Sequence, residues 1–370
     1  MIPDNLPYLL LNRDICLSNI QKMYAKAEKQ GLIFRPHFKT HQSHTIGGWF
    51  KHIGVKQISV SSFQMAKYFA SDGWIDITVA FPVLPNDVEI INSISDQITL
   101  NILFSSVQNF NCTANIISKK VNAFIELDTG HGRSGLHPDD TRSIALLVNL
   151  IQSHPNINLK GFLTHTGQTY SLKNPIEVEA IHRKTLTILT RIKAFWKDSI
   201  PDISISYGDT PSCSVSDDFW GIDEIRPGNF VFYDLMQTRI GSCKNNDIAT
   251  ALICPVVDVH YDRNEILIKG GAIHLSKEFI VQADGTKSYG AICPFDGVLW
   301  GEPFTSMYID RLSQEHGVIK VNDADELIHF KVGQLLAVLP VHSCLTLDTM
   351  GELYLSDGTQ ISTMRERCFR

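Results

Sequence analysis

The stretch Arg35-Pro36-His37-Phe38-Lys39-Thr40-His41 sets a primary amine between two imidazoles at the end of a β-type run, IFRPHF at 33–38. By strand alternation Lys39 lies in line with the apolar Ile33. Two readings fit such a residue. One is a solvated strand-end lysine; the other is a Schiff-base lysine, whose amine desolvation makes nucleophilic toward a carbonyl. Further polar clusters close later β-type runs. Asp128-Thr129-Gly130-His131-Gly132-Arg133-Ser134-Gly135 offers glycines that admit a ligand close to the backbone, and Arg133 as a donor to an anionic oxygen. His165-Thr166-Gly167-Gln168-Thr169-Tyr170 supplies an imidazole, an amide and a phenol. Tyr207-Gly208-Asp209-Thr210-Pro211-Ser212 and Pro227-Gly228-Asn229-Phe230 offer hydroxyls and backbone N–H groups to an anion. Each cluster alone is ordinary turn composition. Together with a strand-end lysine they describe a site for a phosphorylated aldehyde. Near the C-terminus stands His342-Ser343-Cys344. On a strand, residues i and i+2 share a face, so His342 and Cys344 can present a nitrogen and a sulfur to one ion. That pair suits Zn2+ better than Mg2+ or Ca2+ and leaves positions open for substrate and water; a buried, packing cysteine is the alternative.

The elements that must carry these residues follow from periodicity. Eight β-rich runs, at 33–38, 57–62, 76–81, 97–104, 121–128, 159–165, 202–208 and 224–234, alternate with segments of helical pattern such as 14–30, 138–153 and 175–198. Strand and helix in alternation require parallel pairing with right-handed crossovers, and eight units close a (β/α)8 barrel. In that fold chemistry collects where strands end, which is where the clusters lie, the last two loops occupying its usual phosphate station. After Arg239 the texture changes to short strands, at 251–260, 264–272, 290–295, 316–322, 334–342 and 351–357, broken by Gly, Asn and Asp. The expected organisation is an α/β chain with a TIM barrel over 1–245 and a C-terminal β domain over 246–370, the first few residues being free to pair with the β domain.

Composition narrows the class. The 370 residues carry 33 Lys+Arg against 39 Asp+Glu, a formal charge of −6, which argues against a nucleic-acid or membrane-surface binder. Hydrophobic residues make up 44%, enough to bury a sizeable core. The start, MIPDNLPYLLLNRD, lacks the basic flank and long apolar core of a signal peptide, and no run reaches the length of a membrane span. Eight cysteines, at 16, 112, 213, 243, 254, 293, 344 and 368, contain no Cys-x-x-Cys pair, which fits reduced thiols and a cytoplasmic location.

These residues resemble the fold-type III pyridoxal-phosphate enzymes, specifically the D-serine dehydratase and D-threonine aldolase group, with an alanine racemase-like N-terminal barrel. The run Arg35–His41 matches the lysine motif, supported by Glu126-Leu127-Asp128-Thr129-Gly130 with Arg133, His165-Thr166-Gly167, Pro227-Gly228-Asn229, Ser313-Gln314-Glu315-His316-Gly317 and Pro340-Val341-His342-Ser343-Cys344. The resemblance implies that Lys39 binds the pyridoxal aldehyde and is the base on the substrate Cα. It places Arg133 near the phenolic oxygen and Tyr170 beside the ring, with His165 and His37 in the same site. It assigns the phosphate to Tyr207, Gly208, Asp209, Thr210, Gly228 and Asn229, and Zn2+ to His342 and Cys344, with Mn2+ in the aldolase case. Departures stand at Gln42, where a basic residue is usual, at Ser206–Pro211, poorer in glycine than is usual, and at Lys269-Gly270-Gly271-Ala272, in place of Asp-Ala-Gly.

The implied activity is metal-assisted β-elimination from a D-β-hydroxy amino acid, giving a 2-oxo acid and ammonia, in a two-fold dimer whose partners are small molecules. Retro-aldol cleavage to glycine and an aldehyde is the alternative in the same site. Racemisation would need a second acid/base, for which Tyr261, Tyr289 and Tyr308 are available. From other classes stand a non-catalytic pyridoxal-phosphate homeostasis protein, against which the residues after the barrel argue, and a sugar-phosphate barrel enzyme with an incidental Lys39.

Overall fold

The computed structural model describes residues 6–364 and divides the chain into two compact units, one of residues 21–228 and one of residues up to 20 together with 229 onward. The division falls at 228/229, upstream of the 245/246 expected from texture.

The first unit contains the barrel. Its eight parallel strands are Ile33–Phe34, Ile58–Val60, Asp76–Pro82, Thr99–Phe104, Val121–Glu126, Ile157–Thr164, Ser204–Tyr207 and Glu224–Ile225. Each pairs with the next in chain order, the eighth pairs with the first at Ile33↔Glu224, and a single parallel bridge, His37↔Ser59, joins first to second. The helices between them begin where a short polar side chain satisfies the free N–H groups of the first turn. Ser62 accepts from Met65 N, Ser106 from Asn109 N, Asp140 from Ser143 N, and Asn174 from Glu177 N ahead of Pro175. Their apolar faces pack on the strands: Ile144, Leu147, Val148 and Ile151 of Thr141–Gln152 are buried.

The expected first strand is shorter than IFRPHF suggests. Only Ile33–Phe34 is ladder, and Lys39 lies in the turn beyond it, so its direction is not set by alternation with Ile33, which is exposed. Phe38 fixes that turn instead. Its ring is fully buried, with ring centres 5.0 Å from those of Phe50, Phe69 and Trp74 and 4.3 Å from that of His41.

The second unit is a sheet of nine strands in the order Glu265–Lys269, His316–Val321, Met307–Leu312, Gly290–Pro294, Leu335–Pro340, Thr250–His260, Tyr8–Leu11, Glu352–Leu355 and Gln360–Ser362. Thr250–His260 also pairs with Glu265–Lys269 across a bulge between Val256 and Asp258, so six of the strands close on themselves. Tyr8–Leu11 lies inside this sheet, antiparallel to Thr250–His260 and parallel to Glu352–Leu355. Ile253, Ile266, Ile268, Ile292, Ile309, Ile319 and Val338 are buried in it. Among the described residues no helix is long and apolar enough to cross a membrane. No disulfide joins the seven described cysteines, and Cys368 lies outside the described residues.

Candidate active site

A cavity of about 520 Å³ opens at the C-terminal ends of the barrel strands, lined by His37, Lys39, Ser61, Phe81, Glu126, Arg133, His165 and Arg226 among others. Lys39 projects into it from the turn that Phe38 anchors, and its amine makes no ion pair among the described residues. Arg133 is presented by the glycine loop, which Asp128 organises by accepting from Gly130 N at 2.9 Å, His131 N at 2.8 Å and Gly132 N at 3.0 Å. Burial opposes ionisation of Asp128, but those N–H groups outweigh it and hold the carboxyl below its ordinary range.

His165 ends the sixth strand, with Nδ1 2.8 Å from the Gly208 carbonyl. Burial drives its pKa down to about 3; the bond to Gly208 opposes the shift, while the charges of Arg133, Lys39 and Arg226 reinforce it. His165 is therefore a neutral imidazole that donates through Nδ1, leaving Nε2 as an acceptor. The next loop comes close to the barrel: a Cβ on Gly208 would stand 2.9 Å from the Arg226 backbone. Tyr170 reaches the same loop, its hydroxyl accepting from Thr210 N at 3.2 Å, and Gly228 N donates to Thr210 Oγ1 at 3.3 Å. The Pro227 carbonyl accepts from His37 N at 2.8 Å, which ties this loop to the lysine turn.

Tyr207 and Asp209 occupy other positions than their expected phosphate-facing ones. Tyr207 is fully buried, its hydroxyl 2.9 Å from His182 Nδ1, and burial followed by the charge of Asp209 pushes its pKa well above 10. Asp209 is buried, accepts from the Thr166 and Thr169 hydroxyls, and caps Thr210–Val215 through Ser212 N. Neither side chain lines the cavity; both support the loop from behind. A short polar residue at the head of a helix is a capping signal, and the pattern Asp-Thr-Pro at 209–211 carries it.

Two charged cavity residues have no role assigned from sequence, although Glu126 stands in the matched run 126–130. Glu126 ends the fifth strand; burial raises its pKa, while a hydrogen bond from Ser134 and the charges of Arg133 and Arg226 act against the rise. Its Oε2 is buried without a hydrogen-bond partner. Arg226 is also buried, bonded to Ser206 Oγ at 2.6 Å and to the Thr164 carbonyl at 2.6 Å, and burial lowers its pKa to about 10. Behind it runs a continuous polar chain: Ser206 to Glu224, Glu224 to Arg35 at 2.8 Å, and Arg35 to Asp76 at 2.7 Å. Asp76 accepts from Asn101, and Asn101 from Asn122, its register partner on the next strand. A charge inside an apolar strand run, as in FIELD or DEIRPG, is the signal that could have found Glu126 and Arg226.

The unit with the mixed sheet holds the other expected pair. His342 is the N-cap of the helix Ser343–Met350 and Cys344 lies in its first turn, so the two meet at a strand-to-helix junction and not on a strand face. They are nonetheless hydrogen-bonded to each other. Burial acts to lower the His342 pKa, but Cys344, Asp234 and Glu278 prevail and raise it to about 9. Asn229, expected among the phosphate contacts, directs its amide nitrogen to Asp234 at 2.7 Å, Ser343 Oγ at 3.2 Å and Cys344 Sγ at 3.5 Å.

Both implied groups fit the residues present. The cavity sets three cationic side chains, Lys39, Arg133 and Arg226, against one carboxylate, Glu126, as a phosphate and a substrate carboxylate require. The His342–Cys344 pair has no third His, Cys, Asp or Glu positioned as a ligand among the described residues, which leaves an N/S site with open coordination.

A near-closed parallel barrel with a lysine at its mouth, in a chain that continues into a β unit, defines a fold-type III pyridoxal-phosphate enzyme. The family model of the alanine racemase N-terminal domain matches residues 11–235 and that of a putative serine dehydratase domain matches 249–356, and the chain belongs to this family, for which pyridoxal phosphate is expected. It is 27% identical over 371 residues to a D-serine dehydratase of Dictyostelium discoideum, covering 92% of this chain and 91% of the relative. It is 27% identical over 350 residues to a D-threo-3-hydroxyaspartate dehydratase of Delftia sp., again covering 92% and 91%. The structure of that Delftia enzyme superposes with a TM-score of 0.90 at 24% identity, covering 97% of each chain. Its solved forms include a His-to-Ala variant and a Cys-to-Ala variant described as metal-free. A D-threonine aldolase of Arthrobacter sp. is more distant, at 20% identity.

Proposed function

We propose that this chain is a pyridoxal-phosphate- and metal-dependent lyase that eliminates water from a D-3-hydroxy amino acid to give, after hydrolysis, a 2-oxo acid and ammonia. The observation that carries the reading is the amine of Lys39, without an ion pair among the described residues, in a cavity where Arg133 and Arg226 face one acid, Glu126. Pyridoxal phosphate bound there supplies an electron sink for negative charge developing at the substrate Cα. Lys39 is the residue that would hold the cofactor's aldehyde, and its amine, when free, would be placed to take the proton from the substrate Cα. Arg133 and Arg226 orient anionic oxygens, and neutral His165 adds an acceptor without adding charge. His37 lines the same cavity, and Tyr170, Gly208, Thr210 and Gly228, which sit in the bonded loops rather than in its lining, are the remaining proposed cofactor contacts.

His342 and Cys344 are the proposed metal ligands, and a Zn2+ ion there would supply Lewis-acid assistance to departure of the β-hydroxyl. The His and Cys variants of the Delftia dehydratase, one of them metal-free, support this assignment, as does the N/S donor set. Elimination is favoured over retro-aldol cleavage by the dehydratase relatives, at 27% identity against 20% for the aldolase. The reading includes a two-fold dimer and, with no disulfide among the seven described cysteines, a cytoplasmic location.

The test is product identity. With D-serine, D-threonine and D-threo-3-hydroxyaspartate supplied separately, elimination yields 2-oxo acids and ammonia, and cleavage yields glycine. Chelation should abolish turnover and added Zn2+ should restore it. Lys39→Ala should lose both turnover and the visible absorbance of bound cofactor; a fully active Lys39→Ala protein refutes the assignment.

A further inference from the structure

We infer that Asp234 is a positioning residue for the His342–Cys344 pair, holding both donors in place for a divalent cation through Asn229 and Ser343. The inference rests on the reading of that pair as metal ligands.

Asp234 is 1% exposed and has no Lys or Arg partner among the described residues. A buried carboxylate so placed is costly unless other groups compensate it. Its two oxygens divide the work. Oδ1 accepts from Gln237 N at 3.0 Å, the ordinary cap of the helix Leu235–Ile240. Oδ2 accepts from Ser343 N at 3.1 Å, from Ser343 Oγ at 3.3 Å and from Asn229 Nδ2 at 2.7 Å. A cap needs only the first oxygen. The second grips both the backbone and the side chain of the residue that separates the two donors.

Asn229 extends the grip to the sulfur, since the same amide nitrogen lies 3.5 Å from Cys344 Sγ. Its orientation is fixed, because a carboxylate accepts only from the nitrogen end of the amide. Partners that orient metal ligands in this way commonly change affinity by about 10–100-fold when removed.

The experiment measures Zn2+ affinity of the full-length protein by chelator competition, with the thiolate-to-Co2+ charge-transfer band as a second readout. Asp234→Asn keeps a good capping residue and nearly the same shape but removes the charge. It should weaken Zn2+ binding about 10–100-fold and shift or weaken the Co2+ band, with melting in excess chelator close to that of the parent protein. Zn2+ affinity within twofold of the parent, where His342→Ala and Cys344→Ala abolish binding, would reduce Asp234 to a helix cap and overturn the inference. If His342→Ala and Cys344→Ala themselves leave Zn2+ affinity intact, the ligand assignment fails, a different result. Should Asp234→Asn not fold, Asn229→Ala leaves the cap in place and carries the same expectation; unchanged Zn2+ affinity and Co2+ spectrum in that variant overturn the proposal.

Discussion

His41 shows how one side chain ties the lysine turn to pH. Its Nδ1 accepts from Ser43 N at 3.1 Å, while Nε2 is buried without a partner among the rings of Phe38, Phe50 and Phe69. Burial lowers its pKa to about 3. An unfolded chain takes up this proton near pH 6.5. Above pH 7 both states are neutral and His41 adds no pH dependence. Below about 6.5 the unfolded state binds more protons, so stability falls with decreasing pH until the folded group titrates near 3, by at most about 1.4 kcal/mol per pH unit. Urea unfolding at pH 7.5 and pH 5 should show this slope, and His41→Phe should reduce it; His165, shifted in the same direction, maintains the remainder. An unchanged slope in the variant contradicts the account. Arg226 is a second test at this scale. Arg226→Lys keeps a charge but loses the fork that binds Ser206 and Thr164, and it should weaken cofactor binding roughly tenfold or more, read by titrating the visible absorbance.

At the level of strands and helices, the barrel was legible because its period alternates between two and 3.6 and its helices carry caps. All eight parallel strands lie within or overlap the runs read from sequence. What escaped has particular causes. Met307–Leu312 reads poorly because Asp310 and Arg311 stand together where a bulge between Ile309 and Arg311 breaks the alternation. Ser343–Met350 is a short helix with no strong apolar stripe, so the pattern before it was extended through His342 and Cys344 as strand. Tyr207 and Asp209 were assigned by chemical type, and only packing tells that their polar atoms turn inward. The lysine motif survived the shortening of its strand because Phe38 fixes the turn. One prediction belongs to this scale. Gly161, at φ +144°, interrupts the sixth strand, and a Cβ there would lie 2.0 Å from the Ser204 carbonyl oxygen. Gly161→Ala forces the sixth and seventh strands apart, at about 3 kcal/mol or more; thermal melting should show a drop of several degrees or loss of soluble protein, and an unchanged melting temperature would contradict the register.

Considered as a whole, the chain makes one compact unit of contiguous residues, 21–228, and another of two separated pieces. Tyr8–Leu11 pairs with Thr250–His260 at four successive positions, from Tyr8↔Ile253 to Leu11↔Thr250. No local pattern in YLLL names that partner, since both its neighbours come from residues 250 onward. Because Tyr8–Leu11 is interior to its sheet, its removal would detach Glu352–Leu355 and Gln360–Ser362 from the remaining strands. Protein lacking residues 1–11 should therefore lose protease resistance first in its C-terminal hairpin, detectable by mass mapping of early cleavage products.

The placement of that strand also orders events during synthesis. When Tyr8–Leu11 leaves the ribosome, its ladder partners at 250–253 and 354–355 are still unmade, and the residues of the barrel must emerge before any of them exists. This apolar segment thus waits unclaimed while the barrel is being made, and its capture by the later strands comes late in folding.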